Sequence, residues 1–405
     1  MSAVQSYRRL AEVVGPAYVG VAFLGRVPLA MSQMGTLLLV SHTSGSYAVG
    51  GGAAGALAVL NAVGAPWFGS LADRIGQRPV VLVQSLAGAV GLVGLVVVAD
   101  AGASAWAVVA TAGLAGLAIP QIGPMARVRW GPVLAGEPQR RRLLDTAFSY
   151  EGAADELSFV LGPATVGALA VPVAPQGALI VAGVVLGVFG SAFAVHPTAE
   201  LTRPESDAAT STGRVLTVTL ALLVGAQLLI GMLFGATQTG ATVLATEAGQ
   251  AGLAGLIHAT LGVGSVIAGL AVAALPERIG YRRRALVAAC GLVVLSTPLL
   301  WVQTVGQLIA VIVLLGFAVA PYMISSFAMA GQIVAADRVG TAMTLLAGAT
   351  GCGYAIGSSV AGRLADGVPG LVPDGGHTAA FAVTVAATVL ALAVSLCLAR
   401  GRGGR

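Results

Sequence analysis

The sequence predicts an all-α membrane protein in which twelve transmembrane helices form two pseudo-symmetric six-helix bundles. Of its 405 residues, 57% are hydrophobic and only 9% are charged, whereas ordinary globular domains carry about 25% charged residues. Several apolar runs exceed the ~18 residues that a helix needs to cross a bilayer. A charged loop in the first half of the chain also recurs in the second half, which indicates an internal repeat.

The repeated loop divides the chain into two similar halves. The first copy runs from Gly69 to Leu82 and the second from Leu275 to Arg284, about half a chain length later. In both copies an acidic residue, Asp73 or Glu277, is followed by the pattern Arg-Ile-Gly-x-Arg. The second copy departs from the first because Pro276 precedes its acid, and we expect its role to be weaker.

Hydropathy places six predicted spans on each side of a polar segment. The expected spans are residues 16–41, 47–71, 79–99, 104–126, 143–171, 176–195, 215–244, 249–274, 285–302, 306–334, 340–365 and 378–399. Residues 196–214 hold Pro, Ser, Thr and charged residues, a composition typical of a solvated linker. The predicted organisation is an N-terminal bundle (1–195), a cytoplasmic linker (196–214) and a C-terminal bundle (215–405).

The arginines predict the orientation in the membrane. All 21 basic residues are Arg, and every one except Arg26 and Arg363 falls on the same side of the predicted spans. Basic residues concentrate in cytoplasmic loops, so we expect both termini in the cytoplasm and a multi-pass protein of the cell (inner or plasma) membrane. The net charge of +5 therefore reflects topology, and we expect no nucleic-acid partner.

Two six-helix halves, a polar linker and a charged loop between the second and third spans together resemble the major facilitator superfamily. The residues that match its loop signature, Gly-x-Leu-x-Asp-Arg-x-Gly-x-Arg, are Gly69, Leu71, Asp73, Arg74, Gly76, Arg78 and the following Pro79. The resemblance implies secondary transport by alternating access. It also implies that Gly69, Asp73, Arg74, Gly76 and Arg78 form a conformational latch, the simpler alternative being a topological anchor.

The fifth span carries a second, partial resemblance, to the signature of the proton-driven exporters of this family. The matching residues are Gly162, Pro163 and Gly167, whereas Ser158 and Val166 depart from the signature. This resemblance favours export, and the alternative is an ordinary proline kink in a glycine-rich protein.

Three acids of the fifth span, Glu151, Asp155 and Glu156, are the candidates for proton coupling. A carboxylate within a membrane-spanning segment is costly unless it is paired, protonated or in contact with water. The alternative for these acids is a structural ion pair.

Arg26 lies within the first span and cannot release its proton at physiological pH, so it needs an anionic partner. That partner is either Asp155 or Glu156 permanently, or an anionic substrate in exchange for them. Further candidates for the substrate site are polar residues of other spans, each of which is alternatively a helix–helix contact. They are Gln33, Tyr150, Gln227, Gln238, His258, Tyr322 and Tyr354. Near the end of the fourth span, Arg127 and Arg129 are expected to bind lipid headgroups at the cytoplasmic edge.

The leading hypothesis is a proton-coupled exporter (antiporter) of a small organic molecule. The alternatives are a proton-coupled importer of an anionic nutrient and a lipid-handling membrane protein. The sequence has no phosphate-binding loop with Lys, no metal-ligand cluster and no Ser–His pairing, so we expect no enzyme, catalytic residue, metal or cofactor. The expected partners are the substrate, protons and membrane lipids, and the expected state is a monomer.

Overall fold

The computed structural model describes residues 2–170, 174–202, 217–250, 253–367 and 376–400. Within these ranges the regular structure is helical, with no β-strand. Most of the predicted linker, residues 203–214, lies outside the described residues. The helices are α1 (Ala3–Val14), α2 (Pro16–Ser44), α3 (Tyr47–Ile75), α4 (Gln77–Asp100), α5 (Ala105–Ala118), α6 (Ile122–Val133), α7 (Arg140–Ala170), α8 (Ala174–Val185), α9 (Ser191–Val195), α10 (Val218–Glu247), α11 (Ala254–Val272), α12 (Tyr281–Ser296), α13 (Val305–Ile333), α14 (Val339–Ala365) and α15 (Gly376–Arg400).

The predicted fold class is confirmed. In the described part of the chain, eleven helices are long and apolar enough to cross a membrane. The remaining predicted span, residues 143–171, corresponds to α7, which has 31 residues and is long enough to cross but carries several charges. A short amphipathic helix, α1, precedes the first span, and its Arg9 forms an ion pair with Glu137 at 2.8 Å.

The fourth span is longer than the predicted 104–126 and is interrupted. It consists of α5 and α6, separated by a break at Pro120, where proline removes a backbone donor. The side-chain amide of Asn61 donates to the carbonyl oxygens of Gly116 (2.9 Å) and Ile119 (2.8 Å), and its oxygen accepts from Gln121 Nε2 (2.6 Å). Asn61 therefore satisfies the backbone groups that the break exposes inside the apolar bundle.

Contacts divide the chain into two compact units. The first takes in Met1–Ala147, Leu157–Gly213 and Val334–Gly348, and the second takes in Phe148–Glu156, Arg214–Ile333 and Ala349–Arg405. Relative to the predicted bundles, a short piece of α7 groups with the second unit and the first turns of α14 group with the first. These two helices each contribute to both units.

In the first unit, α2 packs against α3 and α8, and α4 packs against α5 and α8. Its core consists of fully buried aliphatic side chains, among them Leu39, Leu57, Leu92 and Leu179. In the second unit, α10 packs against α15, and α13 packs against α11 and α12.

Glycines allow α10 and α14 to approach at backbone distance. A Cβ atom added at Gly231 would overlap the carbonyl oxygen of Thr350, and one added at Gly353 would overlap that of Leu228. The same reciprocal contact repeats one turn along each helix, at Gly235 and Gly357. Small residues spaced four apart permit such close packing in membranes, where van der Waals contact replaces the hydrophobic effect.

We predict that Gly231→Val destabilises the protein by about 1–3 kcal/mol, the usual cost of overpacking a close contact, or prevents folding. Thermal denaturation of the purified protein in detergent measures this. Gly225→Val is the matched control, because a Cβ at Gly225 of the same helix meets nothing within 4 Å. Equal melting temperatures for the two variants would contradict the proposed contact.

Candidate functional site

The three acids of α7 differ in their exposure. Glu151 is completely buried, Glu156 is 8% exposed, and Asp155 is half-buried. At 1.5 Å per residue, Glu156 lies roughly 24 Å along a helix of roughly 46 Å, close to its middle. Asp155 is the neighbour of Glu156 in the chain.

Helices of the second unit enclose this acidic segment. A Cβ on Gly152 would lie 2.6 Å from Ile324 of α13, and a Cβ on Gly269 of α11 would lie 3.5 Å from the backbone nitrogen of Ala153. On the same side, the Ser265 hydroxyl of α11 faces the Glu156 carboxyl. The segment is therefore in close contact with α11 and α13.

Farther along α7, the exporter-like residues lie in the first unit. Pro163 is inside the helix, which nevertheless continues to Ala170. A Cβ on Gly162 would lie 2.6 Å from the Cβ of Ala30 of α2, so glycine is needed there for close packing. Gly167 is exposed, with nothing within 4 Å of an added Cβ. One of the three motif residues, Gly162, thus has a specific packing role.

Arg26 is buried, with 5% of its surface exposed, and its Nε donates to the carbonyl oxygen of Ala22 at 3.1 Å. It belongs to α2 in the first unit, as does the half-buried Gln33 two turns later. The pairing of Arg26 with Asp155 or Glu156 stays a prediction.

Polar pairs connect α10 and α14 in the second unit. The Tyr354 hydroxyl donates to Gln238 Oε1 at 2.7 Å, and Thr350 Oγ1 donates to Gln227 Oε1 at 3.3 Å. The Nε2 atom of Gln227 is buried and has no hydrogen-bond partner among the described residues.

The remaining candidates lie in three different settings. Tyr322 is buried, and its hydroxyl donates to the carbonyl oxygen of Ala391 (3.2 Å) and accepts from Ser395 Oγ (3.2 Å), so it makes a contact between α13 and α15. Tyr150 is half-buried in α7. His258 is half-buried in α11, with its Nδ1 atom buried and without a partner in the described part of the chain.

The first loop copy caps the beginning of α14. Asp73 Oδ1 accepts from the backbone N–H of Gly340 (2.8 Å), and its Oδ2 accepts from the N–H (2.7 Å) and the hydroxyl (2.7 Å) of Thr341. The first N–H groups of a helix have no partner within the helix, and a carboxylate there also interacts favourably with the helix dipole. The loop acid is thus the N-terminal cap of a helix from the other sequence half.

Other residues of the loop signature support this cap. A Cβ on Gly69 would overlap the Thr344 hydroxyl and lie 2.8 Å from the Gly340 carbonyl oxygen, so only glycine allows α3 and α14 to approach so closely. Gly76 ends α3 with φ of 88°, a value that favours glycine. The exposed Arg78 forms an ion pair with Glu200 at 2.9 Å, and Arg74 is exposed.

The second loop copy has a different geometry. The helix before it, α11, ends at Val272, and Glu277 is exposed in the connection to α12. Arg284 is buried, and its Nη2 donates to the carbonyl oxygen of Pro276 at 3.2 Å. The acid of this copy therefore does not sit at the end of a helix as Asp73 does.

The expectation that Arg129 binds lipid headgroups is wrong, because this side chain is completely buried. Its guanidinium donates to Gln77 Oε1 (2.9 Å), to the carbonyl oxygen of Phe193 (2.8 Å) and to Thr198 Oγ1 (3.0 Å). It also lies 3.6 Å from the centroid of the Phe193 ring. Arg129 thereby joins α4, α6, α9 and the turn Pro197–Thr202, while Arg127 beside it is also buried.

His196 completes this cluster next to the start of the linker. Burial, and after it the nearby charge of Arg129, lower the pKa of the His196 imidazole below its ordinary value. The neutral ring accepts the backbone N–H of Thr198 at Nδ1, at 3.3 Å. The charge pattern of the sequence did not reveal this cluster, because a buried arginine and a headgroup-binding arginine look alike at the end of an apolar run.

This chain is similar to known proteins in both sequence and fold. The sequence model of the Major Facilitator Superfamily matches residues 223–403. The matched segment lies in the C-terminal part of the chain and covers slightly less than half of its length. A comparison with curated protein sequences finds no match.

Solved structures of transporters share the fold of this protein over 94% of this chain and 99% of their own. They include the human organic anion transporter MFSD10 (TETRAN), with 21% identity and a TM-score of 0.68. A bacterial homologue of the iron transporter ferroportin, in the outward-facing state, has 16% identity and a TM-score of 0.73. The nucleoside transporter NupG has 14% identity and a TM-score of 0.62. The superfamily is one of membrane transporters and not of enzymes.

We predict that Arg129→Gln lowers the free energy of unfolding by about 2–4 kcal/mol. Each buried acceptor that loses its donor costs about 1–3 kcal/mol, and glutamine cannot reach all three. Thermal denaturation in detergent is the measurement. Arg141→Gln, at an exposed position, is the matched control and should change stability by less than about 0.5 kcal/mol. A stable Arg129→Gln protein would show that the cluster is not needed.

We predict that Asp73→Ala costs about 1–2 kcal/mol of stability, as the loss of a helix cap does, whereas Glu277→Ala costs less. The two acids occupy matched positions of the repeat, so they control for charge and loop location. Because the Thr341 hydroxyl donates to Asp73, Thr341→Val should add little in the Asp73→Ala background. Additive effects in this double-mutant cycle would argue against the cap.

Proposed function

We propose that this protein is a secondary transporter that exports a small organic molecule across the cell membrane in exchange for protons. The observation that carries the proposal is the acidic segment of α7, with Glu151 and Glu156 buried in the interior of a transporter fold. An ionisable group in such a place is by default a candidate for coupling, because its charge is expensive to maintain without a function.

The coupling would follow from this cost. When the carboxyl of Glu156 is ionised, it needs polar or aqueous surroundings, and when it is protonated, it tolerates burial in the interior of the protein. Protonation would therefore favour one conformation of the transporter and deprotonation the other. A substrate that binds better to the deprotonated form would be exchanged for a proton in each cycle.

Two contacts support the finer parts of this proposal, one of them export and the other a conformational latch. The close contact of Gly162 with Ala30 beside Pro163 is what the exporter-like signature would require. The cap of α14 by Asp73 links residues of both sequence halves. We infer that breaking and re-forming this cap accompanies the change between the outward-facing and inward-facing states.

The orientation, location and oligomeric state belong to the same proposal. With the arginines on the cytoplasmic side, both termini face the cytoplasm and the protein lies in the inner or plasma membrane. It works as a monomer among membrane lipids. The distribution of arginine along the predicted spans supports the orientation.

An anionic substrate, moved in either direction, is the second candidate. A buried guanidinium such as that of Arg26 provides a permanent positive charge suited to a carboxylate or phosphate, and MFSD10 is described as an organic anion transporter. Proton-coupled import of an anionic nutrient would use the same residues. The direction of transport driven by an imposed pH gradient distinguishes import from export.

We predict that Glu156→Gln reduces pH-gradient-driven transport by at least about 100-fold, in line with the loss of an essential proton-transfer group. The substrate is first identified by thermal shift with organic anions, organic cations, nucleosides, sugars and amino acids, since binding to the native state raises stability. Uptake and efflux are then measured in proteoliposomes with opposite pH gradients.

Three variants sharpen this experiment. Asp155→Asn and Glu151→Gln test the neighbouring acids, and Glu277→Gln is the control for removing an exposed carboxylate. Substrate exchange at equal pH on both sides should survive in Glu156→Gln, because exchange without net transport needs no proton. Full gradient-driven transport by the variants of all three acids of α7 would overturn proton coupling through this segment.

A further inference from the structure

One face of α11 carries a line of buried polar atoms that leads to Glu156. Ser265 faces the Glu156 carboxyl, and its buried Oγ atom makes no hydrogen bond among the described residues. His258 precedes Ser265 by seven residues, which is two helical turns, so the two side chains share one face of α11. The Nδ1 atom of His258 is also buried and unpartnered in the described ranges.

These atoms are exceptions to a strong rule. Buried polar atoms are nearly always hydrogen-bonded, and each exception calls for an explanation such as a functional role or an ordered water. A structural explanation applies elsewhere on the same helix, where the Thr260 hydroxyl donates to the carbonyl oxygen of Ile257 at 2.7 Å. In the part of the chain that the structure describes, no such backbone contact accounts for His258 Nδ1 or Ser265 Oγ.

The distance between His258 and Ser265, and their positions across the membrane, are suited to proton transfer. His258 and Ser265 are separated by about 10.5 Å along the helix axis, a distance that a short chain of hydrogen-bonded water molecules spans. In the predicted orientation α11 begins on the outer side of the membrane, so His258 is at the outer end of the line and Glu156 at the inner end. Among the described residues, the groups near the Glu156 carboxyl include Asp155 from its own helix and Ser265 from α11.

We propose that His258 and Ser265 form a proton pathway that connects Glu156 with the outer side of the membrane. A proton from outside binds to His258 Nδ1 and is passed through water to Ser265. The Ser265 hydroxyl takes up this proton and gives its own to the Glu156 carboxylate, so that one proton enters and one carboxyl is neutralised. The histidine returns to its neutral form and the serine to its hydroxyl form. His258 and Ser265 are positioning and relay groups, and Glu156 is the proton acceptor.

This pathway rests on the proposed function, and the experiment separates the two. The full-length protein is reconstituted into proteoliposomes, the external pH is lowered rapidly, and the carboxyl C=O infrared band of Glu156 is followed in time. The band is assigned by its loss in Glu156→Gln. We expect His258→Gln and Ser265→Ala each to slow the appearance of this band about tenfold or more, with little change in its final amplitude.

Controls distinguish a relay from a structural effect. Thr260→Val removes a hydroxyl of the same helix that already has a backbone partner, and it should leave the rate unchanged. His258→Phe keeps a ring of similar shape but has no nitrogen that binds a proton. If His258 acts in proton transfer and not in packing, the Glu156 band should form as slowly in this variant as in His258→Gln. Melting temperatures verify that each variant is folded.

The outcomes lead to different conclusions. A titrating Glu156 band that forms at the wild-type rate in His258→Gln and Ser265→Ala would overturn the pathway and leave proton coupling intact. The absence of any band that depends on Glu156 would overturn the carrier assignment itself. Slowing by Thr260→Val to the same extent would show a general disturbance of α11 and would also overturn the pathway.

Discussion

The requirement that buried polar groups find partners organises this molecule. Only 9% of the residues are charged, and several of the polar side chains that the described residues bury have a clear partner. Asn61 satisfies the carbonyls at the break between α5 and α6, Arg129 satisfies acceptors on three other segments, and Asp73 caps α14. Against this background, the buried atoms without a partner in the described residues, among them His258 Nδ1 and Ser265 Oγ of α11, are places where stability alone does not explain the residues.

The fold was largely readable from the sequence, because a helix must be apolar over a known length to cross a bilayer. The same rule explains where reading by hydropathy fell short. The charged α7 is not among the helices that are apolar enough to cross a membrane, although hydropathy placed a predicted span at residues 143–171. The fourth span continued beyond its predicted end because Arg127 and Arg129 looked like a boundary, whereas their charges are buried.

The candidate site was less predictable, because contacts between distant residues have no local signal. The loop signature indicated that Asp73 is important, yet its partners Gly340 and Thr341 lie in a segment with no notable composition. Tyr322 resembled a cavity residue in the sequence, and the structure shows it bonded to α15. Ser265 was not a candidate at all, since one serine in an apolar helix is unremarkable until the helix beside it is known to carry Glu156.

The position of α14 has a mechanical consequence. Its first turn is fastened by Asp73, and its middle is interlocked with α10 through Gly231 and Gly353. A helix of 27 residues resists bending, so a displacement of its capped first turn would be transmitted along the helix to its glycine contacts with α10.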